Sequence, residues 1–247
     1  MTVAIIIPAR LASTRLPNKP LVDILGQTMI TRVYKKAAQV PNVKVFVACD
    51  SQEIAQEIEN NGGNAIITDP NLPSGTDRVY AASKLIDEDY DIIVNLQGDL
   101  PNIDPSVVTQ AIAALQNSDA DIATVASVIT EKEEINDPNV VKIAISFNNG
   151  DEKSGNALYF SRCPIPYSKN QDQPYYHHIG IYAYKKSALE RFVGLAPSLL
   201  EKQESLEQLR ALENNMKIAV QIVDSNPLSV DTKEDLINVI KLISAHS

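Results

Sequence analysis

Val3-Ala4-Ile5-Ile6-Ile7 runs straight into Pro8-Ala9-Arg10-Leu11-Ala12-Ser13-Thr14-Arg15-Leu16-Pro17-Asn18-Lys19-Pro20. The first five residues are apolar and mostly β-branched, the pattern of a strand buried on both faces. The same rhythm continues outward from it. Met29–Val40 reads as a helix, Val43–Ala48 as a second buried strand, and Asp50 or Ser51 as the cap of a helix over Gln52–Asn60. Gly62-Gly63 ends that helix. A third strand over Ala65–Thr68, a helix near Asp77–Leu85 and a strand over Tyr90–Leu96 complete the series. Strand and helix in alternation imply an α/β fold, with a mostly parallel sheet and helices on both faces.

The second half changes character. Val140–Phe147, a turn at Asn148-Asn149-Gly150, and Ala157–Ser161 read as strand, turn and strand. With Ile179–Tyr184 they either extend the sheet antiparallel or form an arm. Helices near Ser187–Val193 and Leu200–Asn214, a strand Ile218–Val223 and a closing helix Lys233–Ser244 follow. Pro164, Pro166 and Pro174 mark a loop near 163–176, a candidate mobile segment. No repeat, low-complexity tract or long linker splits the 247 residues.

Composition narrows the function. Lys and Arg number 22 against 31 Asp and Glu, a net charge of −9, so the chain lacks the overall cationic field of a nucleic-acid binder. Hydrophobic residues at 44% are enough for a real core. Val3–Ile7 is too short for a signal segment or a membrane span, so a soluble cytoplasmic protein without membrane insertion is expected. Cys49 and Cys163 lie in apolar runs with no zinc spacing, which predicts two buried thiols.

Three stretches carry chemistry. The loop Pro8–Pro20 leaves the carboxyl end of a buried strand, where open α/β sheets bind ligands. It is neither G-x-x-x-x-G-K-[ST] nor G-x-G-x-x-G. Arg10, Arg15 and Lys19 nevertheless interleave with small residues, as a polyphosphate cradle requires. Asn95-Leu96-Gln97-Gly98-Asp99 ends another strand. Asp99 is either a turn residue or a Mg²⁺ ligand, since Mg²⁺ takes one or two carboxylates with phosphate oxygens and water. Val230-Asp231-Thr232 reads by itself as an N-cap of the last helix, with a second metal carboxylate as the other possibility.

Taken in order, these blocks resemble the 3-deoxy-manno-octulosonate cytidylyltransferases, or CMP-Kdo synthetases. The similarity includes the Ile7–Leu21 loop, Ser74-Gly75-Thr76-Asp77-Arg78, Val94–Asp99 with Pro101, and Ala157–Arg162 with Ile165-Pro166. It goes on through His178–Tyr182, Leu206-Glu207-Gln208-Leu209-Arg210, and Val230-Asp231-Thr232 with Glu234-Asp235-Leu236. The resemblance implies one nucleotidyltransferase domain over 1–247. Residues 1–130 would serve mainly CTP, and residues 131–247 mainly the sugar, an antiparallel arm and a homodimer contact. It implies Pro8, Ala9, Arg10, Arg15, Lys19, Ser74, Gly75, Arg78, Gln97 and Gly98 at the nucleotide. Asp99 and Asp231 would hold Mg²⁺, and Arg10, Lys19, Asp99 and Asp231 would act in catalysis. Arg162, His178, Tyr182, Glu207 and Gln208 would bind Kdo, whose carboxylate suits an Arg and whose hydroxyls suit neutral donors and acceptors. The implied reaction is attack of the sugar's anomeric hydroxyl on the α-phosphorus of CTP. Another acidic sugar (8-amino Kdo or a sialic acid) and a non-catalytic nucleotide binder stay open on the same scaffold. Two departures from the family stand out: Leu100 in place of a common Glu, and Asn18 in place of Gly, where Asn also tolerates a left-handed backbone.

Overall fold

The computed structural model describes residues 1–13, 15–148, 150–169 and 173–245. Thr14 of the cationic loop, Asn149 of the predicted turn and residues 170–172 of the proline-marked loop lie outside them. The chain forms two compact units, residues 1–109 with 227–247, and residues 110–226. The C-terminal residues thus rejoin the unit that the N-terminus begins.

In the first unit four strands lie parallel in the order Asn64–Ile67, Lys44–Cys49, Val3–Ala9, Ile92–Asn95. Val3–Ala9 is interior, with Ile5 opposite Val45 on one side and Val94 on the other. Ile5, Ile6 and Ile7 are fully buried, as a strand covered on both faces must be. The intervening helices are Met29–Ala37, Gln52–Asn60 and Gly75–Ser83, each opened by a hydroxyl side chain that accepts a backbone N–H: Thr28, Ser51 and Ser74. Ser51, rather than Asp50, caps the second helix, which leaves Asp50 for another role. Gly62 takes a positive φ of 75° just beyond that helix, a conformation that costs glycine little. A final helix, Lys233–Ala245, brings Val239 into a cluster with Leu16, Ile24, Met29 and Val230.

The second unit holds a mixed sheet in the order Tyr176–Lys185, Ile122–Val128, Ile218–Ile222, Asp151–Ser161, Lys142–Asn148. Ile122–Val128 and Ile218–Ile222 run parallel, and the other pairings among the described residues of this unit are antiparallel. The Lys142–Asn148 and Asp151–Ser161 hairpin joins the sheet through Ile218–Ile222. His177 also pairs with Lys142.

Several expectations need correction. The helix Pro105–Gln116 and the interior strand Ile122–Val128 add to the expected elements. Ala, Thr and Ser interleave that strand and weaken its apolar signal. The single helix expected over Leu200–Asn214 is two, Leu199–Glu204 and Leu209–Glu213. Ser205 between them adopts a left-handed φ of 54°, which no α-helix can pass through. Cys49 is buried, but Cys163 is exposed, because it stands just beyond the end of strand Asp151–Ser161. Among the described residues no helix is long and apolar enough to cross a membrane.

Candidate active site

The carboxyl ends of the parallel strands open into a cleft in the first unit. Pro8, Ala9, Arg10, Arg15, Lys19, Gln97, Gly98, Asp99 and Asp231 line it, together with Ala12, Ser13, Pro20 and Met29. Two apolar anchors shape the cationic loop. Leu16 is 4% exposed and Pro20, four residues on, is buried too, so Asn18 between them stays at the surface while Lys19 is half-buried and faces the cleft. Asn18 turns the chain with φ 54° and ψ 33°, so it does supply the left-handed residue the loop needs. Asp50 fixes the start of the loop by accepting the Leu11 N–H at 3.1 Å.

Gly98 lets the second segment approach. A Cβ there would lie 3.0 Å from the Pro8 carbonyl oxygen and 3.3 Å from Ile30 Cδ1. The backbone that carries Asp99 therefore packs directly on the loop that carries Arg10. Leu100 points into the core at 5% exposure, so no outer carboxylate stands at that position.

Asp99 and Asp231 converge on one cation. Lys19 Nζ donates to Asp99 Oδ2 at 2.7 Å and to Asp231 Oδ1 at 2.9 Å. Burial by itself would lower the Lys19 amine, but the charge of Asp99 and the hydrogen bonds to both carboxylates hold it above its ordinary value. Arg15 reaches Asp231 at 3.1 Å from a largely exposed position. Backbone bonding sets the spacing, because Val230 N–H donates to the Asp99 carbonyl at 3.0 Å.

The capping of the last helix explains why Asp231 is available. Thr232 Oγ1 accepts the Asp235 N–H at 3.2 Å, and the Asp235 carboxylate accepts the N–H groups of Asp231 and Thr232 at 3.0 and 2.8 Å. This is a reciprocal capping box with Asp in the acidic place. Thr232 caps the helix, and the Asp231 side chain turns to the cleft. Thr232-x-x-Asp235 was the readable signal for this, as Asp50 after a strand was for the loop anchor.

Ser74, Gly75 and Arg78, also expected at the nucleotide, are not among the residues that line the cleft, although Gly75 borders it. Ser74 caps helix Gly75–Ser83 and bonds Asp77 in both directions. Gly75 packs against Pro8, where an added Cβ would lie 3.5 Å from Pro8 Cγ. Arg78 is 3% exposed and donates to Thr68 Oγ1 at 2.6 Å.

The five expected sugar residues belong to the second unit. His178 is buried, its Nε2 3.0 Å from Thr124 Oγ1 and its ring edge-on to Phe160. Burial, with a small push from His177, takes its pKa down to about 3, so the ring is neutral at pH 7. Tyr182 stacks obliquely on His178 at 5.4 Å, and burial holds its phenol protonated, well above the usual range. Arg162 gives its guanidinium to main-chain carbonyls: Pro138 and Glu204 at 2.8 Å and Ser205 at 3.3 Å. Glu207 lies 3.8 Å from Arg210, and Gln208 is 7% exposed.

The chain matches the cytidylyltransferase family over residues 4–218. It is 46% identical over 247 residues to 3-deoxy-manno-octulosonate cytidylyltransferase of Paramagnetospirillum magneticum, covering 99% of both chains. It is 51% identical over 233 residues to the Brucella ovis protein of the same name, covering 94% of this chain and 91% of that one. Among solved structures it resembles CMP:2-keto-3-deoxy-manno-octonic acid synthetase complexed with CTP, with a TM-score of 0.93, 37% identity and full coverage of both chains. A 4-diphosphocytidyl-2C-methyl-D-erythritol synthase from Anaerococcus prevotii, 13% identical with a TM-score of 0.64 and 98% coverage, shares the fold alone. Cation loop, paired carboxylates and near-full-length relatives agree: the chain belongs to the 3-deoxy-manno-octulosonate cytidylyltransferase family.

Proposed function

We propose that the protein transfers CMP from CTP to the anomeric hydroxyl of Kdo, giving CMP-Kdo and pyrophosphate. The observation that carries this reading is the meeting of Asp99 and Asp231 on one cationic group inside the Arg10–Lys19 loop, in a chain of this family. The alternative sugars and the non-catalytic reading have no specific observation behind them.

The donor set fits Mg²⁺. Two carboxylates already converge on a single positive charge, and a hard divalent ion takes one or two carboxylates while leaving positions for phosphate and water. Among the described residues no group of three or more His, Cys, Asp and Glu gathers elsewhere, as a zinc-type cage would need. Held by Asp99 and Asp231, Mg²⁺ would screen the phosphates from the incoming hydroxyl and make that hydroxyl more acidic.

The remaining work falls to the chain itself. Arg10 and Arg15 lie on the exposed side of the loop, where they grip the β and γ phosphates and stabilise charge on the departing pyrophosphate. Lys19, which reaches both carboxylates, supplies a positive charge at the same point of the cleft. Gln97 and the backbone at Gly98 set the depth to which the nucleotide enters. The sugar is held by Arg162, His178, Tyr182, Glu207 and Gln208. His178 is neutral and Tyr182 protonated, so both act as hydrogen-bonding groups toward hydroxyls and not as general acid or base. Catalysis of this kind rests on positioning and charge stabilisation. The reading further places the enzyme in the cytoplasm as a homodimer that activates Kdo for lipopolysaccharide synthesis, as its family resemblance implies.

Pyrophosphate release, measured with Mg²⁺ across the four nucleoside triphosphates with and without Kdo, tests the proposal. Release only with CTP plus Kdo supports it. Release with CTP and a different acidic sugar moves the sugar assignment, and no release from folded protein overturns the reading.

A further inference from the structure

Lys142 takes no part in the site described so far, yet the fold withdraws it completely. It is 0% exposed and is the largest of the fully buried side chains among the described residues. It opens the strand Lys142–Asn148, where it stands opposite Ser161 on one neighbouring strand and opposite His177 on the other. The residue after each of these partners is Arg162 or His178, both of the proposed sugar site. The main chain of His178 is tied to the same point, since its N–H donates to the Val141 carbonyl at 2.8 Å.

A buried ammonium ordinarily has a carboxylate beside it. Among the described residues Lys142 forms no ion pair; its Nζ donates to the main-chain carbonyls of Asp137 at 2.7 Å and Val140 at 2.6 Å. Burial pushes its amine below the ordinary value, and the charge of Asp137 pulls it partly back. The carbonyl between them in this loop, that of Pro138, accepts from Arg162 Nη1 at 2.8 Å. Two cations therefore fasten one short loop through three oxygens. Arg162 then spans from that loop to the carbonyls of Glu204 and Ser205. The Glu204 carboxylate closes the link by accepting the Arg162 N–H at 3.0 Å and the Ser161 hydroxyl at 2.7 Å. From left-handed Ser205 the chain passes directly into Leu206-Glu207-Gln208.

We propose that Lys142 is a positioning residue of the sugar subsite: by fixing the 137–140 loop it fixes Arg162, and through Arg162 the turn that presents Glu207 and Gln208. The inference rests on the sugar assignment of the proposed function. A buried ammonium that forms no direct ion pair is costly to desolvate, and here its return is the pair of carbonyls it holds in the 137–140 loop. Losing Lys142 leaves the Asp137 and Val140 carbonyls without that donor, which lowers stability, and its mark as a positioning residue is a loss of sugar affinity that CTP affinity does not share.

The test compares the full-length protein with Lys142→Met and Lys142→Arg, reading KM for the sugar, KM for CTP, kcat and thermal midpoint. Lys142→Met is expected to raise KM for the sugar about tenfold, one lost charge-assisted contact's worth. KM for CTP should stay within about twofold, and Lys142→Arg should restore part of the loss. Glu204→Gln, which loosens the far side of the same clamp, provides a second variant should Lys142→Met fail to fold, and the same split is expected. Equal rises in both KM values, or an unchanged sugar KM in both folded variants, would overturn the inference. Wild-type protein is assayed first with Kdo and with other acidic sugars. Inactivity with every sugar removes the proposed function and this inference together, whereas an active wild type beside variants with no split removes only the inference.

Discussion

Replacing Arg210 by Ala tests the anchoring of the segment that carries Glu207 and Gln208. Arg210 and Glu201 make a two-pronged pair, Nε to Oε2 at 2.8 Å and Nη2 to Oε1 at 2.5 Å. Their side chains are only 8% and 13% exposed, so solvent screens the pair little. The guanidinium also lies 5.0 Å over the Phe192 ring. The pair closes the loop that begins in helix Leu199–Glu204, breaks at Ser205 and resumes in Leu209–Glu213. Truncation leaves the Glu201 carboxylate buried without its guanidinium, with the Ser198 N–H still donating to it at 2.9 Å. Breaking a buried pair from one side costs about 3–5 kcal/mol. At about 2–4 °C per kcal/mol for a chain of this size, the thermal midpoint at pH 7 should fall by about 6–20 °C. The sign of the pH dependence follows from Glu201. Burial alone would raise its pKa, but Arg210 and the Ser198 N–H outweigh that and hold it below 4.5. Its contribution is then complete above the unfolded value of 4.5 and is lost as pH falls through the lower folded value. The gap between wild type and variant, followed by circular dichroism melts, should narrow as pH drops below 4.5. A gap under about 2 °C at pH 7, or one that holds constant into acid, would refute the reasoning.

Asp99→Ala is expected to lower kcat by at least about 10²-fold, the usual loss of a positioned transition-state group, in pyrophosphate-release assays; near-normal turnover removes Asp99 from the chemistry. Arg162→Ala should raise KM for the sugar more than KM for CTP, and the reverse order in steady-state kinetics would take Arg162 out of the sugar site. Gly98→Ala places a methyl 3.0 Å from the Pro8 oxygen, which forces the Asp99 turn off the cation loop. Overpacking of that kind costs about 1–3 kcal/mol, so a lower melting midpoint with a raised KM for CTP is expected, and wild-type values for both would show that the contact yields freely.

How far the sequence could be read depended on contrast. Val3–Ile7 and Val43–Ala48 announce themselves because both faces of a parallel strand are apolar, and the structure pairs them in register. Ile122–Val128 is just as interior in its own sheet, yet Thr124 and Ser127 interrupt its apolar run. Both are buried, and Thr124 spends its hydroxyl on the Ile181 carbonyl and on His178. A polar residue satisfied by a partner 54 positions away looks in sequence like a reason against a buried strand. The same holds for the break at Ser205. Its cause is the backbone conformation together with carbonyl bonds from Arg162, which lies 43 residues earlier.

Asp231 shows why a site residue can be visible and still ambiguous. Beside the first turn of a helix, Asp and Thr are both good caps, and spacing alone does not say which one bonds the backbone. The structure separates them through a third residue. Asp235 takes the N–H groups that Asp231 would otherwise need to satisfy locally, and Thr232 takes the Asp235 N–H in return. With its own surroundings satisfied, the Asp231 carboxylate has no local demand on it and turns to Lys19 and Arg15. The Val230 N–H, bonded to the Asp99 carbonyl, then fixes how near the two acids lie. Convergence of residues 132 positions apart is thus produced by one capping box and one backbone hydrogen bond, both ordinary structural devices. The carboxylate that faces Lys19 in the cleft is the one that the capping of the helix leaves over.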